Sequence, residues 1–443
     1  MTRLAFQADP AARWQGLKLR TASRYAVIVA ALTLATACSH GGRAPSPPVG
    51  AAAPTSSPAR ARYDPPRTFG SSAGVALPQE ATQGAVALQG TAAYVAATDS
   101  LQAVDTSSGQ VVATIRPRQQ PLQSRDEVQI MGQVIQVNSA GGPPQVATVD
   151  GKTLVLAPFL VQIPGHGTTQ GRSAMELTAV AAATNQVAWT MPLELPEWAS
   201  DPYADDLGAA VVGVQATTAV VVVANSDHRV TYAVDLAARQ VRWQQDRFAA
   251  AELGGGVVIG TVTGDADFRQ QLAALAIADG RRRWAALDSS GMNAYSAGPK
   301  LVAVSGQDYL SGDGFFMLLD RASGATVTHV KTDRTVRVSC AYDGAAVTVC
   351  SSSIAQWVFA VDTAGKDLWE LPDRAARRVA PTVTAVWHGA VYATTGNGPV
   401  VLDARTGADR NVDPGIAPVL VDDYVGLARD GTDRRLTAYP ATG

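Results

Sequence analysis

Charge is scarce in this chain. Asp, Glu, Lys and Arg make up 17% of its 443 residues, and the formal net charge is −2, against roughly a quarter charged in an average globular domain. A chain so nearly neutral offers neither the basic field that nucleic acid requires nor an acidic tail. Lysine is confined to Lys18, Lys152, Lys300, Lys331 and Lys366. Only 3 cysteines occur, no two adjacent, and none shares a zinc-ligand spacing with histidine. The 5 histidines, His40, His166, His228, His329 and His388, form no HxH or HExxH pattern, so each reads as a surface or turn residue. Phosphate-binding glycine loops and the GxSxG elbow are missing from any strand-turn-helix context, which excludes nucleotide binding and serine hydrolysis of the usual kinds. Asp265 and Asp267 alternate as calcium ligands do, but the rest of that loop's spacing does not follow. After residue 68 no helical periodicity appears.

Long apolar runs are also absent. The run Tyr25 to Ala37 follows Arg3, Arg13, Lys18, Arg20 and Arg24; it is too short for a membrane span of about 20 residues and fits the core of a signal peptide. It ends in Leu34-Ala35-Thr36-Ala37-Cys38, which resembles a bacterial lipobox with its Leu one position early and makes Cys38 the expected lipidation site. The other reading is an ordinary secretory signal cut near Ala37. Both put the mature chain outside the cytoplasm, either lipid-anchored at the extracytoplasmic face of the membrane or secreted. Residues 39–67 are rich in Pro, Ala and Ser, a composition that buries too little apolar area to offset its ordering entropy, and they read as a disordered tether. Residues 68–443 read as the folded domain.

What fills that domain is a repeated phrase: a short apolar stretch, an anchor that is usually Asp, a turn ending in Gly, then often Trp. The anchors are Asp105, Ala181, Asp235, Ala276, Asp320, Asp362, Asp403 and Pro440. Four consecutive spacings fall between 41 and 44 residues, the length of one four-stranded propeller blade. Upstream of each anchor lies a short β-branched run, such as Val220 to Ala224 or Leu301 to Ser305, the pattern of a strand buried on both faces. Asp and Gly suit the tight turn after the third strand. Trp189, Trp243, Trp284 and Trp369 begin the outer strand, where an indole docks between neighbouring sheets. Ala113, Thr328 and Asn411 replace Trp in other units and predict weaker interfaces there.

The phrase, as in Ala360-Val361-Asp362-Thr363-Ala364-Gly365-Lys366-Asp367-Leu368-Trp369 and Val401-Leu402-Asp403-Ala404-Arg405-Thr406-Gly407, resembles the repeat of the pyrroloquinoline-quinone-like propellers. That group takes in the quinoprotein alcohol dehydrogenases and the propeller lipoprotein of the outer-membrane barrel-assembly machinery. The resemblance spans residues 68 to 443 and implies an all-β ring of four-stranded antiparallel blades, eight in number with seven as the alternative. The stretch Val128 to Val137 reads as an insertion. The last unit lacks an outer strand, which the segment around Val75-Ala76-Leu77 can supply from the N-terminal side, closing the ring.

A quinone dehydrogenase of this family would need a calcium-bound quinone in the central funnel, an Asp base, a stacking Trp and often adjacent cysteines. The adjacent pair is missing, and no Glu, Asn and Asp match the calcium ligands, so no cofactor and no metal are expected. Trp357 and Trp387 lie outside the repeat position and are expected in packing. Cys340 and Cys350 flank a hairpin turn in an oxidising compartment and are expected to form a disulfide. A three-residue loop of Gly344, Ala345 and Ala346 sets them opposite each other, whereas an Asp343-Gly344 turn sets Cys340 against Val347. Long connections at Phe159 to Met175, Thr263 to Gln271 and Gly306 to Phe315 mark one face as the working surface. The expected function is that of a non-enzymatic, monomeric scaffold that binds an extracytoplasmic or membrane protein. Quinone-dependent oxidation or small-ligand binding in the channel, and binding of envelope glycan, are the alternatives.

Overall fold

The computed structural model describes residues 60–443, apart from 82–84, 98, 123–126, 131–132, 137–143, 201–206, 264–269, 309–310, 333–337, 353 and 430–434. The expected signal segment, Cys38, Asp265, Asp267 and most of the expected tether lie outside the described residues.

Every anchor is the last residue of a third strand. The third strands are Leu101–Asp105, Arg172–Ala181, Arg229–Asp235, Gln270–Ala276, Gly314–Asp320, Trp357–Asp362, Gly398–Asp403 and Leu436–Pro440. Each belongs to one antiparallel meander of four strands, and we number these blades one to eight in chain order. The apolar runs form the second strands, buried along nearly their whole length; Thr218–Ala224 is an example. Blades four and five share the continuous strand Arg282–Ser296, the outer strand of one and the first strand of the next.

First strands of successive blades touch one another, which places them innermost. Apolar clusters then join blade one to two, two to three, and so on round to eight. A last cluster joins Val425, Leu427 and Ala438 of blade eight to Ala93, Val95 and Val104 of blade one. The chain is therefore a closed eight-bladed propeller. Val75–Ala76 pairs antiparallel with Ala438 and Thr437 as the outer strand of blade eight, so the N-terminal part of the chain covers the edge that the C-terminal blade would leave bare.

Blade two carries the expected insertion. Its innermost position is split between Gln120–Pro121 and Gln145–Val149, both paired with Lys152–Ile163, while Glu127–Ile130 and Gln133–Gln136 form a separate hairpin between them. The long connection expected at Phe159 to Met175 is instead mostly strand. Leu160 pairs with Met175 and Ile163 with Arg172, and Phe159, Leu160 and Val161 are buried. Apolar side chains there pull the hairpin into the ladder, leaving only 164–171 as a turn.

The repeated phrase has one geometry throughout. Trp189, Trp243, Trp284 and Trp369 stand opposite Ala179, Ala233, Ala274 and Ala360, and the ladder slips by one residue right after each pair. Ala113, Thr328 and Asn411 occupy the same register. The bulge turns the indole toward the next blade, where Trp243, Trp284 and Trp369 donate to the carbonyls of Ile277, Arg321 and Ala404 at 2.9, 2.9 and 2.8 Å. The turn glycine of that next blade lies under the ring: a Cβ on Gly407 would sit 2.6 Å from Trp369. Trp189 instead meets the guanidinium of Arg239, 5.9 Å from the ring centre.

The three interfaces where Ala113, Thr328 or Asn411 replaces Trp carry other aromatics. Tyr94 donates to Asn185 Oδ1 across blades one and two at 2.7 Å. Phe316 meets Phe359 edge-on across blades five and six, and Phe69 meets Tyr392 at blades seven and eight. At these interfaces the aromatic side chains come from positions outside the repeated phrase.

Anchor aspartates hold the turns electrostatically. Asp235 Oδ1 accepts from Ala237 and Ala238, Asp320 from Ser323, and Asp362 from Ala364 and Lys366. Backbone bonds at Asp235 and Asp362, and the Ser323 hydroxyl at Asp320, hold these carboxyls below their ordinary value. At Asp105 and Asp403 burial pushes upward as the largest single effect, but the turn bonds together outweigh it. A carboxyl lowered by folding contributes stability that is complete above its unfolded value and is lost as pH falls through the folded one. Asp320→Asn should therefore be less stable than the parent near neutrality, with the gap in urea midpoint closing below about pH 4. A gap that is constant with pH would contradict this.

Candidate functional site

In such a meander, connections between second and third strands share one face of the ring with connections between blades, and the anchor turns lie on the other. Two clefts open on the first face, and a third runs along the side of the ring from that face toward an anchor turn. One, of about 290 Å³, lies at blade three against Trp198, Asp227, His228, Arg229, Asp246, Arg247 and Thr263. The Arg229 guanidinium is pushed below its ordinary value by burial. Its Nε and the Thr263 hydroxyl are buried without hydrogen-bond partners, and His228 stacks on Trp198 at 5.3 Å. Burying unpaired donors is costly, so an acceptor from outside, such as a carboxylate, fits this corner.

A second cleft, of about 370 Å³, lies over the first strands of blades five to seven. Asn293, Ser339, Ser351, Gln356 and Thr382 line it, uncharged groups that can donate and accept but hold no charge. A third, of about 300 Å³, lies between blades six and seven, with Arg377 and Arg378 beside Val379, Pro381 and Val412. Arg378 is tied to the Gly407 carbonyl and to Asp409, both at 2.6 Å. Val379 is 62% exposed, Val412 72% and Ile354, in the connection between the second and third strands of blade six, 60%. Among the described residues these are the most exposed large apolar side chains, and all three sit on connections of the cleft face.

The opposite face holds the start of the described chain. Tyr63 N–H donates to the Asp423 carbonyl, the Tyr392 hydroxyl to the carbonyl of Pro66, and Asn411 Nδ2 to the carbonyl of Arg67. The segment 60–67, expected as tether, is thus fixed to blades seven and eight. Composition marked it as linker, but its backbone acceptors are met by side chains more than 300 residues away.

Cys340 faces Cys350 in the ladder, with Cα atoms 4.0 Å apart and an S–S distance of 2.04 Å. The three-residue loop sets this register: Asp343 Oδ1 accepts from Ala345, Ala346 and Val347, with Gly344 at φ 80°. Trp357 stacks on Phe359 and donates to Glu370, and Trp387 stacks on His388 in the blade seven to eight cluster. The structure brings the predicted tryptophans to blade interfaces and none of them to a cleft. Thr263 begins one of the long connections expected to mark the working face, whereas the cleft residues Arg229, Val379 and Val412 escaped the sequence reading, because they lie outside the repeat and carry no spacing of their own.

The fold and its surface define a closed propeller with a clefted face. No protein family model matches the chain, and no curated protein does. Among solved structures it is similar to BamB from Moraxella catarrhalis, at 14% identity over 74% of this chain and 95% of that one, with a TM-score of 0.32. A europium-containing methanol dehydrogenase is 12% identical over 84% and 83%, with a TM-score of 0.41. The Dos1 propeller is 10% identical over 84% and 96%, at 0.44. Likeness this distant bears on fold alone.

Proposed function

We propose that this chain is a non-enzymatic propeller, tethered outside the cytoplasm through Cys38, whose clefted face binds another envelope protein. One observation carries the reading. Two of the most exposed large apolar side chains, Val379 and Val412, line one cleft with Arg377 and Arg378, while Tyr63, in the segment leading back toward the N-terminus, is held at Asp423 in a turn of the opposite face. Apolar groups rimmed by charge favour a protein partner, and a module held from behind presents that face freely. Arg229, whose Nε has no partner, and Arg377 beside Val379 suit a partner bearing carboxylates.

Affinity capture from membranes tests the reading. Val379→Asp with Val412→Asp should keep the circular dichroism and melting temperature of the parent and lose the captured protein, whereas Ala364→Asp, in an anchor turn, should retain it. Retention by the first variant would sink the proposal.

A further inference from the structure

We infer that Asp64, His388 and Asp423 form a divalent-cation site that clasps the N-terminal segment to blades seven and eight. The three come from distant parts of the chain, yet one ligand atom of each lies within 4.8 Å of the others. His388 sits in the turn after Thr382–Trp387, Asp423 in the turn before Val425–Arg429, and Asp64 in the segment laid over both.

Arg62 sorts the carboxylate oxygens. It contacts Oδ2 of Asp423 at 2.6 Å and Oδ2 of Asp64 at 3.6 Å. His388 Nδ1 lies against Asp64 Oδ1. Asp423 Oδ1 is buried and has no hydrogen-bond partner, a costly state for a carboxylate oxygen that a cation would relieve. One guanidinium stands against two carboxylates, and one nitrogen with two oxygens suits a first-row divalent ion such as Zn²⁺. Asp64 and His388 are 37% and 34% exposed, which gives an ion access and leaves positions for water.

The imidazole is held in place before any ion arrives. Its ring stacks on Trp387 at 4.0 Å, and its turn is pinned by His388 N–H to the Asp343 carbonyl and Gly389 N–H to Asp343 Oδ2. His388 has φ 39°, a conformation in which asparagine is the better-suited residue.

The test uses the full chain and ZnCl₂, by titration calorimetry and by trypsin cleavage after Arg62 and Arg67. The expected result is one Zn²⁺ per chain, with cleavage slower in Zn²⁺ than in EDTA. His388→Asn keeps a residue fit for the turn and should weaken binding at least about tenfold, as should Asp423→Asn, since even supporting residues of metal sites cost that much. Arg62→Gln removes a competing cation and should bind Zn²⁺ more tightly. Absence of binding, binding unchanged by His388→Asn, or loss of Zn²⁺-dependent protection in Arg62→Gln would overturn the site.

Discussion

Arg321→Ala should destabilise the propeller by about 3 to 5 kcal/mol, the range for breaking one side of a buried ion pair. Arg321 follows the anchor of blade five, and its side chain is 2% exposed. Its Nη2 donates to Glu252 Oε1 of blade four at 3.1 Å and to the carbonyls of Gly298 and Leu301 at 3.3 and 3.2 Å. Gly254 makes room, since a Cβ there would lie 3.0 Å from Nη1. Burial pushes the Glu252 carboxyl up, against the pull of Arg321. Without the arginine, Glu252 is a buried acid with no cation. An acid raised by folding contributes stability that is complete below its unfolded value and lost as pH rises through the folded one. The loss in Arg321→Ala should therefore be smaller near pH 5 than near pH 8. Arg321→Met combined with Glu252→Gln should regain much of it, because neutral packing replaces a buried pair at little cost. A denaturation loss below about 1 kcal/mol for Arg321→Ala would refute the buried pair, since that is the scale of exposed ion pairs.

Trp284→Ala should cost a similar 3 to 5 kcal/mol, roughly, as a large buried aromatic removed from a packed interface. Its indole is 9% exposed, donates to the Arg321 carbonyl at 2.9 Å, and covers Gly324, where a Cβ would meet the ring at 2.7 Å. Gly324 has φ 73°, so Gly324→Ala should also destabilise, through backbone strain and a displaced ring. Because Trp284 and Arg321 meet at one carbonyl, their losses should not add in a double-mutant cycle. Guanidinium unfolding of the single and double variants provides the measurement, and strict additivity would contradict a shared interface.

The ring was legible because one strand end recurs eight times, with a turn carboxylate at five of the anchors and a docking indole after four. A strand end, a turn carboxylate and a docking indole recur at blade spacing, and each constrains the residue type locally. Closure was legible for the same reason, since the phrase stops at Pro440 without an outer strand and Val75–Ala76 supplies it. What the sequence hid depends on residues far apart in the chain. The aromatics that replace Trp at three interfaces sit off the register of the phrase. The docking of 60–67 rests on Tyr392 and Asn411, and the acid–imidazole cluster on a turn histidine that has no ligand spacing along the chain. The clefted face was pointed to by loop length, but at blade two that length became strand, and the chemistry of the face lies in Arg229, Val379 and Val412.

The account turns on which face meets the partner. Photo-crosslinking residues placed at Ile354 and Val379 on the clefted face, and at Ala364 in an anchor turn of the same blade as Ile354, measure this directly in intact membranes. The prediction is one discrete crosslinked protein from the first two positions and none from the third. Crosslinks from Ala364 alone would put the partner on the face that holds the N-terminal segment and contradict the account.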